Sequence, residues 1–69
     1  MKLSARNQLK GKIIEIQEGA VNAIVKINVS NGKILTADIT MQSVKELNLA
    51  VGKEVIAVIK ATNVMVGIE

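Results

Sequence analysis

Between Val21 and Ile39 the chain is patterned around a two-residue turn, and this constrains the fold more than any other feature. Val21, Ala23, Val25, Ile27 and Val29 fall at every second position, with Asn22, Ile24, Lys26 and Asn28 between them. Successive side chains of a strand point to opposite faces, so a period of two describes a strand half buried in a sheet. Ser30-Asn31-Gly32-Lys33 follows. Asn-Gly suits a tight hairpin because both residues tolerate positive φ. The return strand is then Ile34–Ile39.

Further strands are expected at Gly11–Gln17, which Glu18-Gly19 ends, at Val55–Ile59 after Gly52-Lys53, and at Val64–Ile68. Between Thr40 and Leu49 the period changes. Met41, Val44 and Leu47 recur every third residue, as on the apolar face of a short helix, and Thr40 with Ser43 three residues on is suited to cap it. The order β-β-β-α-β-β implies a mainly β fold: a small, partly open five-stranded barrel like the OB-fold, with one short helix between strands 3 and 4. No linker, repeat or low-complexity segment divides residues 1–69, so they form a single domain.

A chain of 69 residues buries only about 60% of the surface it exposes when unfolded. It contains no Cys and no His, which excludes disulfides and imidazole–metal staples. Phe, Trp and Tyr are absent although 49% of residues are hydrophobic, so the core is aliphatic. So much aliphatic surface without a staple points to association of like subunits. The net charge of +3 favours anions, although ordinary surface lysines would give the same value. Met1-Lys2-Leu3-Ser4 leads to Arg6 without an apolar leader. No apolar run approaches the ~20 residues of a membrane span. The expectation is a cytoplasmic protein with no membrane partner.

Two short phrases carry the chemistry: Ser4-Ala5-Arg6-Asn7 and Lys60-Ala61-Thr62-Asn63. Each places one cation among small side chains and amide or hydroxyl donors. An oxyanion requires that combination of full charge, directed donors and close backbone approach. Each residue also has a structural reading. Thr40 and Ser43 serve equally as helix caps, Asn7 as an organiser of its own loop, Lys60 as a strand-end lysine lying along apolar surface, and Gly19 and Gly52 as turn residues. Met41 and Met65 are expected in the core. The carboxylates Glu15, Glu18, Asp38, Glu46, Glu54 and Glu69 are scattered, and no Ser or Thr has a His to activate it. An enzyme is therefore not expected.

Taken together, Ser4-Ala5-Arg6-Asn7-Gln8-Leu9-Lys10-Gly11, Gly19-Ala20-Val21-Asn22-Ala23, Ile39-Thr40 with Ser43-Val44, Leu49 with Gly52, and Lys60-Ala61-Thr62-Asn63-Val64-Met65 resemble the molbindins, or Mop domains. The resemblance covers essentially the whole chain in register. It implies an OB-like barrel, a cytoplasmic molybdate-binding protein serving molybdenum storage and homeostasis, and a homo-oligomer, specifically a hexamer built as a trimer of dimers. It implies oxyanion sites between subunits, with Ser4, Ala5, Arg6, Lys60 and Ala61 from one subunit and Thr40 and Ser43 from its neighbour. A second type of oxyanion site belongs to the family, and Gly19, Ala20, Val21 and Asn22 are the candidates for it here. Some members carry Ser where this chain has Ala61.

In that role Arg6 supplies a planar fork of donors and Lys60 a compact charge. Ser4, Thr40 and Ser43 supply hydroxyls, and Ala5 and Ala61 supply backbone N–H. Thr40 and Ser43 also stand where the helix dipole favours an anion. Tungstate, nearly the size of molybdate, should bind alike, and sulfate less well. No organic cofactor and no directly coordinated metal cation are expected. The alternative from another class is an OB-fold module for single-stranded nucleic acid. Such modules depend on aromatic stacking, and this chain has no aromatic residue and a single arginine, Arg6, so a nucleic-acid partner is not expected.

Overall fold

A computed structural model describes residues 4–69, so Met1-Lys2-Leu3, on which the leader reading partly rests, lies outside the described residues. The strands are β1 (Asn7–Glu18), β2 (Asn22–Ser30), β3 (Lys33–Thr40) and β4 (Glu54–Ile59), with the helix α1 (Met41–Glu46) between β3 and β4. They form one antiparallel sheet in the order β3-β2-β1-β4. The fold is mainly β, with the helix where the sequence places it.

The hairpin forms as its sequence dictates. Ser30 pairs with Lys33, and Asn31 and Gly32 carry φ of 44° and 79°. Both central residues are thus left-handed, which matches the twist of the flanking strands. The expected alternation is also present: Ala23, Val25 and Ile27 are buried, Val29 is half-buried, and only Val21, before the strand begins, is exposed. Val25 and Ile27 join Ile13 in the core, and Val44 of α1 is buried as well.

β1 is longer than expected and bent. Its first half, Asn7–Lys12, pairs with β4, and its second half, Lys12–Glu18, pairs with β2. The bend carries a bulge between Ile13 and Glu15. There the backbone groups of Ile13 turn to the loop before β4: Ile13 N–H donates to Lys53 O at 3.0 Å and Gly52 N–H donates to Ile13 O at 2.8 Å. Gly52 has φ of 93°, a conformation that glycine adopts without penalty. Lys53 also closes the end of α1, its Nζ donating to Leu47 O at 2.7 Å and Asn48 O at 3.1 Å.

The fifth strand is corrected. Val64–Ile68 forms no strand, and Met65, Val66 and Ile68 are each more than nine-tenths exposed. Met65 is therefore not a core residue, while Met41 is half-buried. Aliphatic residues favour strands only where a neighbouring strand and a packed face receive them. Among the described residues this segment has neither. An apolar groove remains open between β3 and β4, lined by residues including Leu35, Ala37, Ile39, Val55 and Ala57.

Candidate functional site

The β1–β4 ladder brings the two expected cations together. Its last pair is Asn7 opposite Ile59, so Arg6 and Lys60 are the residues immediately outside it, one just past the end of each strand. The closing Asn7–Ile59 pair has the spacing of opposed antiparallel positions, about 5 Å at Cα. Both residues are exposed, and neither has a carboxylate partner among the described residues, whose one ion pair joins Lys26 to Glu15 at 3.7 Å. Two adjacent cations without a counter-charge form a place where a dianion is favoured.

Small residues surround them. Ser4 is exposed and Ala5 half-buried, in a loop that belongs to no strand. After Lys60 the chain enters a 3-10 turn, Ala61–Asn63, in which Asn63 N–H donates to Lys60 O at 2.9 Å and Val64 N–H to Ala61 O at 3.3 Å. The N–H groups of Ala61 and Thr62 have no acceptor among the described residues. Thr62 is a donor the sequence reading did not assign to the site.

Thr40 and Ser43 come together separately. Thr40 is the N-cap of α1, its Oγ1 accepting from Ser43 N–H at 3.0 Å and donating to Ser43 Oγ at 2.9 Å. The capping reading therefore holds. The helix has only six residues, so what this end of it presents is two hydroxyls and not an extended helix dipole.

These two groups do not meet within one chain. Thr40 pairs with Asn22 at the start of β2, beside the Glu18 end of β1, whereas Arg6 precedes the Asn7 end. β1 has 12 residues, roughly 36 Å of strand.

The Gly19–Asn22 turn lies next to Thr40. Met41 N–H donates to Val21 O at 2.7 Å, Gly19 N–H donates to Asn22 O at 2.9 Å, and Asn22 Nδ2 donates to Asp38 Oδ1 at 3.0 Å. Part of the donor capacity expected of a second site is thus used within the chain, and a carboxylate stands beside it. Asp38 was not foreseen in this role; its position opposite Ile24, two pairs along from Asn22, is set by strand register and has no local sequence signal. Among the described residues no helix is long and apolar enough to cross a membrane, and no cluster of acidic side chains is suited to a metal ion.

The family model of the TOBE domain matches residues 3–66. A probable molybdenum-pterin-binding protein of Haemophilus influenzae is 59% identical over 69 residues, covering the full length of both chains. Among solved structures, MopII of Clostridium pasteurianum superposes with a TM-score of 0.92 at 42% identity, covering 97% of this chain and 100% of MopII. The cytoplasmic molybdate-binding protein ModG, in a molybdate-bound crystal form, has a TM-score of 0.83 at 52% identity, covering 88% of this chain and 43% of ModG.

Proposed function

This chain belongs to the TOBE-domain family, in its molbindin branch, and from that premise we propose that it binds molybdate reversibly. The ligand is held between subunits, and the protein acts as a cytoplasmic store and buffer of molybdenum. The observation that carries the reading is that Arg6 and Lys60 flank the end of the β1–β4 ladder, exposed, and, among the described residues, without a carboxylate partner and beside N–H groups that have no acceptor. The whole of residues 1–69 acts as one Mop domain.

Ser4, Ala5, Arg6, Lys60 and Ala61 form one half of the site. Thr40 and Ser43 of a neighbouring copy form the other half. Two positive charges balance the dianion, and the hydroxyl and amide donors orient its oxygens. Capture and release need no proton transfer and no catalytic step, in keeping with relatives named as binding proteins. Tungstate, equal in charge and nearly equal in size, binds alike. Sulfate is held less well because it is smaller than the cradle. With no aromatic side chain to stack on a pterin, the bare oxyanion is the ligand.

Association into a hexamer, as a trimer of dimers, follows from the same reading. The exposed apolar segment Val64–Ile68 and the open groove between β3 and β4 are surfaces that subunit contact would cover. A second oxyanion site at Gly19, Ala20, Val21 and Asn22 would draw on the N–H groups of Ala20 and Val21 and the remaining amide hydrogen of Asn22.

Calorimetric titration with molybdate, with sulfate as control, tests the function. Tight molybdate binding with weak sulfate heat is expected. Absence of molybdate binding would overturn the reading and return single-stranded nucleic acid to consideration.

A further inference from the structure

We propose that Gln8 is a positioning residue for the oxyanion loop, fixing the peptide between Ala5 and Arg6 so that Arg6 faces the ligand; this rests on the molybdate reading above. Gln8 is the second residue of β1 and pairs with Val58 of β4, so its backbone is fixed by the sheet. Its side-chain Nε2 donates to Ala5 O at 3.0 Å. A carbonyl only accepts, so it is the amide nitrogen of Gln8 that faces it.

The consequence for Arg6 follows from peptide geometry. The peptide is planar and trans, with no cis bond among the described residues. In such a unit the Ala5 carbonyl and the Arg6 N–H point in opposite directions. Holding the carbonyl back towards β1 therefore aims the Arg6 N–H away from the strand. On the other side of Arg6, Asn7 is locked to Ile59. The Cα of Arg6 is thus held from both flanks, although Ser4, Ala5 and Arg6 lie outside the sheet.

The bond is exposed and contributes little to global stability. Its effect is on placement: without it, the loop samples many conformations and binding must select one of them. No other side-chain hydrogen bond among the described residues anchors the Ser4–Arg6 segment.

The test is calorimetric titration of the native protein, Gln8→Met and Gln17→Met with molybdate at several salt concentrations. Melting temperature without ligand and oligomeric state are measured alongside. Met keeps the length and lacks the donor. Gln17, also exposed on β1, bonds Glu15 instead and serves as the control. The expected result for Gln8→Met is affinity lower by about tenfold, the size of effect one oriented donor gives. Its melting temperature, assembly and salt dependence should stay native, because both cations remain, and Gln17→Met should bind as the native protein does.

If native protein binds and Gln8→Met binds within about twofold of it, the positioning role is overturned. A fall in affinity that tracks a fall in melting temperature also overturns it, since the role is then structural. If native protein fails to bind molybdate, the oxyanion reading falls first and this proposal with it. Should Gln8→Met not fold, native protein decides by NMR. A Gln8 side-chain amide resonance that shows a persistent hydrogen bond and shifts on saturation with molybdate supports the role, and one in free exchange with water and indifferent to molybdate overturns it.

Discussion

Thr40 and Ser43 hold each other twice, Ser43 N–H donating to Thr40 Oγ1 at 3.0 Å and the Thr40 hydroxyl donating to Ser43 Oγ at 2.9 Å. The first bond is a helix cap and the second joins the hydroxyls, so the two side chains separate by substitution. Thr40→Val removes the cap and should destabilise the protein by about 1 kcal/mol. Ser43→Ala keeps the cap intact. It should leave the melting temperature nearly unchanged while weakening molybdate binding. Thermal melts paired with titration distinguish the two, and equal loss of binding with no stability difference would contradict the division.

Arg6→Ala should lower molybdate affinity about ten- to a hundredfold, the range of a hydrogen bond to a charged group. The oligomer should persist, because Arg6 lies outside the ladder and makes no ion pair among the described residues. Titration combined with light scattering checks both. Dissociation with affinity intact would make Arg6 a structural residue.

Gly11→Ala probes the bend in β1. A Cβ there would stand 2.6 Å from Ile27 Cγ2 and 2.7 Å from Asn28 O, and the second of these is backbone that cannot rotate away. Overpacking of this kind costs about 1–3 kcal/mol or more. Urea unfolding should show a lower midpoint.

Removal of residues 64–69 should leave a folded sheet, since none of them is buried in it. It should, however, shift the protein towards smaller species in sedimentation. A truncated chain that keeps its full assembly would place the subunit contacts elsewhere.

The hairpin was legible because its determinants are local: Asn31 and Gly32 fix the turn, and the alternation on either side fixes the faces. Val64–Ile68 has the same aliphatic character, yet forms no strand because pairing is a property of two segments and this one has no partner among the described residues. The opposite error occurred at Asn7–Lys10, whose polar residues carry no strand pattern. They become strand because β4 supplies the pairing. The site divides in the same way. The Thr40–Ser43 cap is a three-residue spacing that can be read directly. That Arg6 lies beside Lys60 depends on the register of strands more than forty residues apart, and here the family resemblance, not the local pattern, brought the two phrases together.

The bend at Ile13 has a bearing on how the chain reaches its native state. Its N–H and carbonyl are satisfied by Lys53 and Gly52, forty residues further on. The β2–β3 hairpin can form early, since its ends are close in sequence. The turning point of β1 gains these partners only when the loop before β4 arrives, so the pairing of the Asn7 half of β1 with β4 is expected to follow the hairpin. Closing so long a loop is slow compared with zipping a hairpin. The segment next to Arg6 therefore depends for its formation on contacts between residues some forty and more positions apart in the chain.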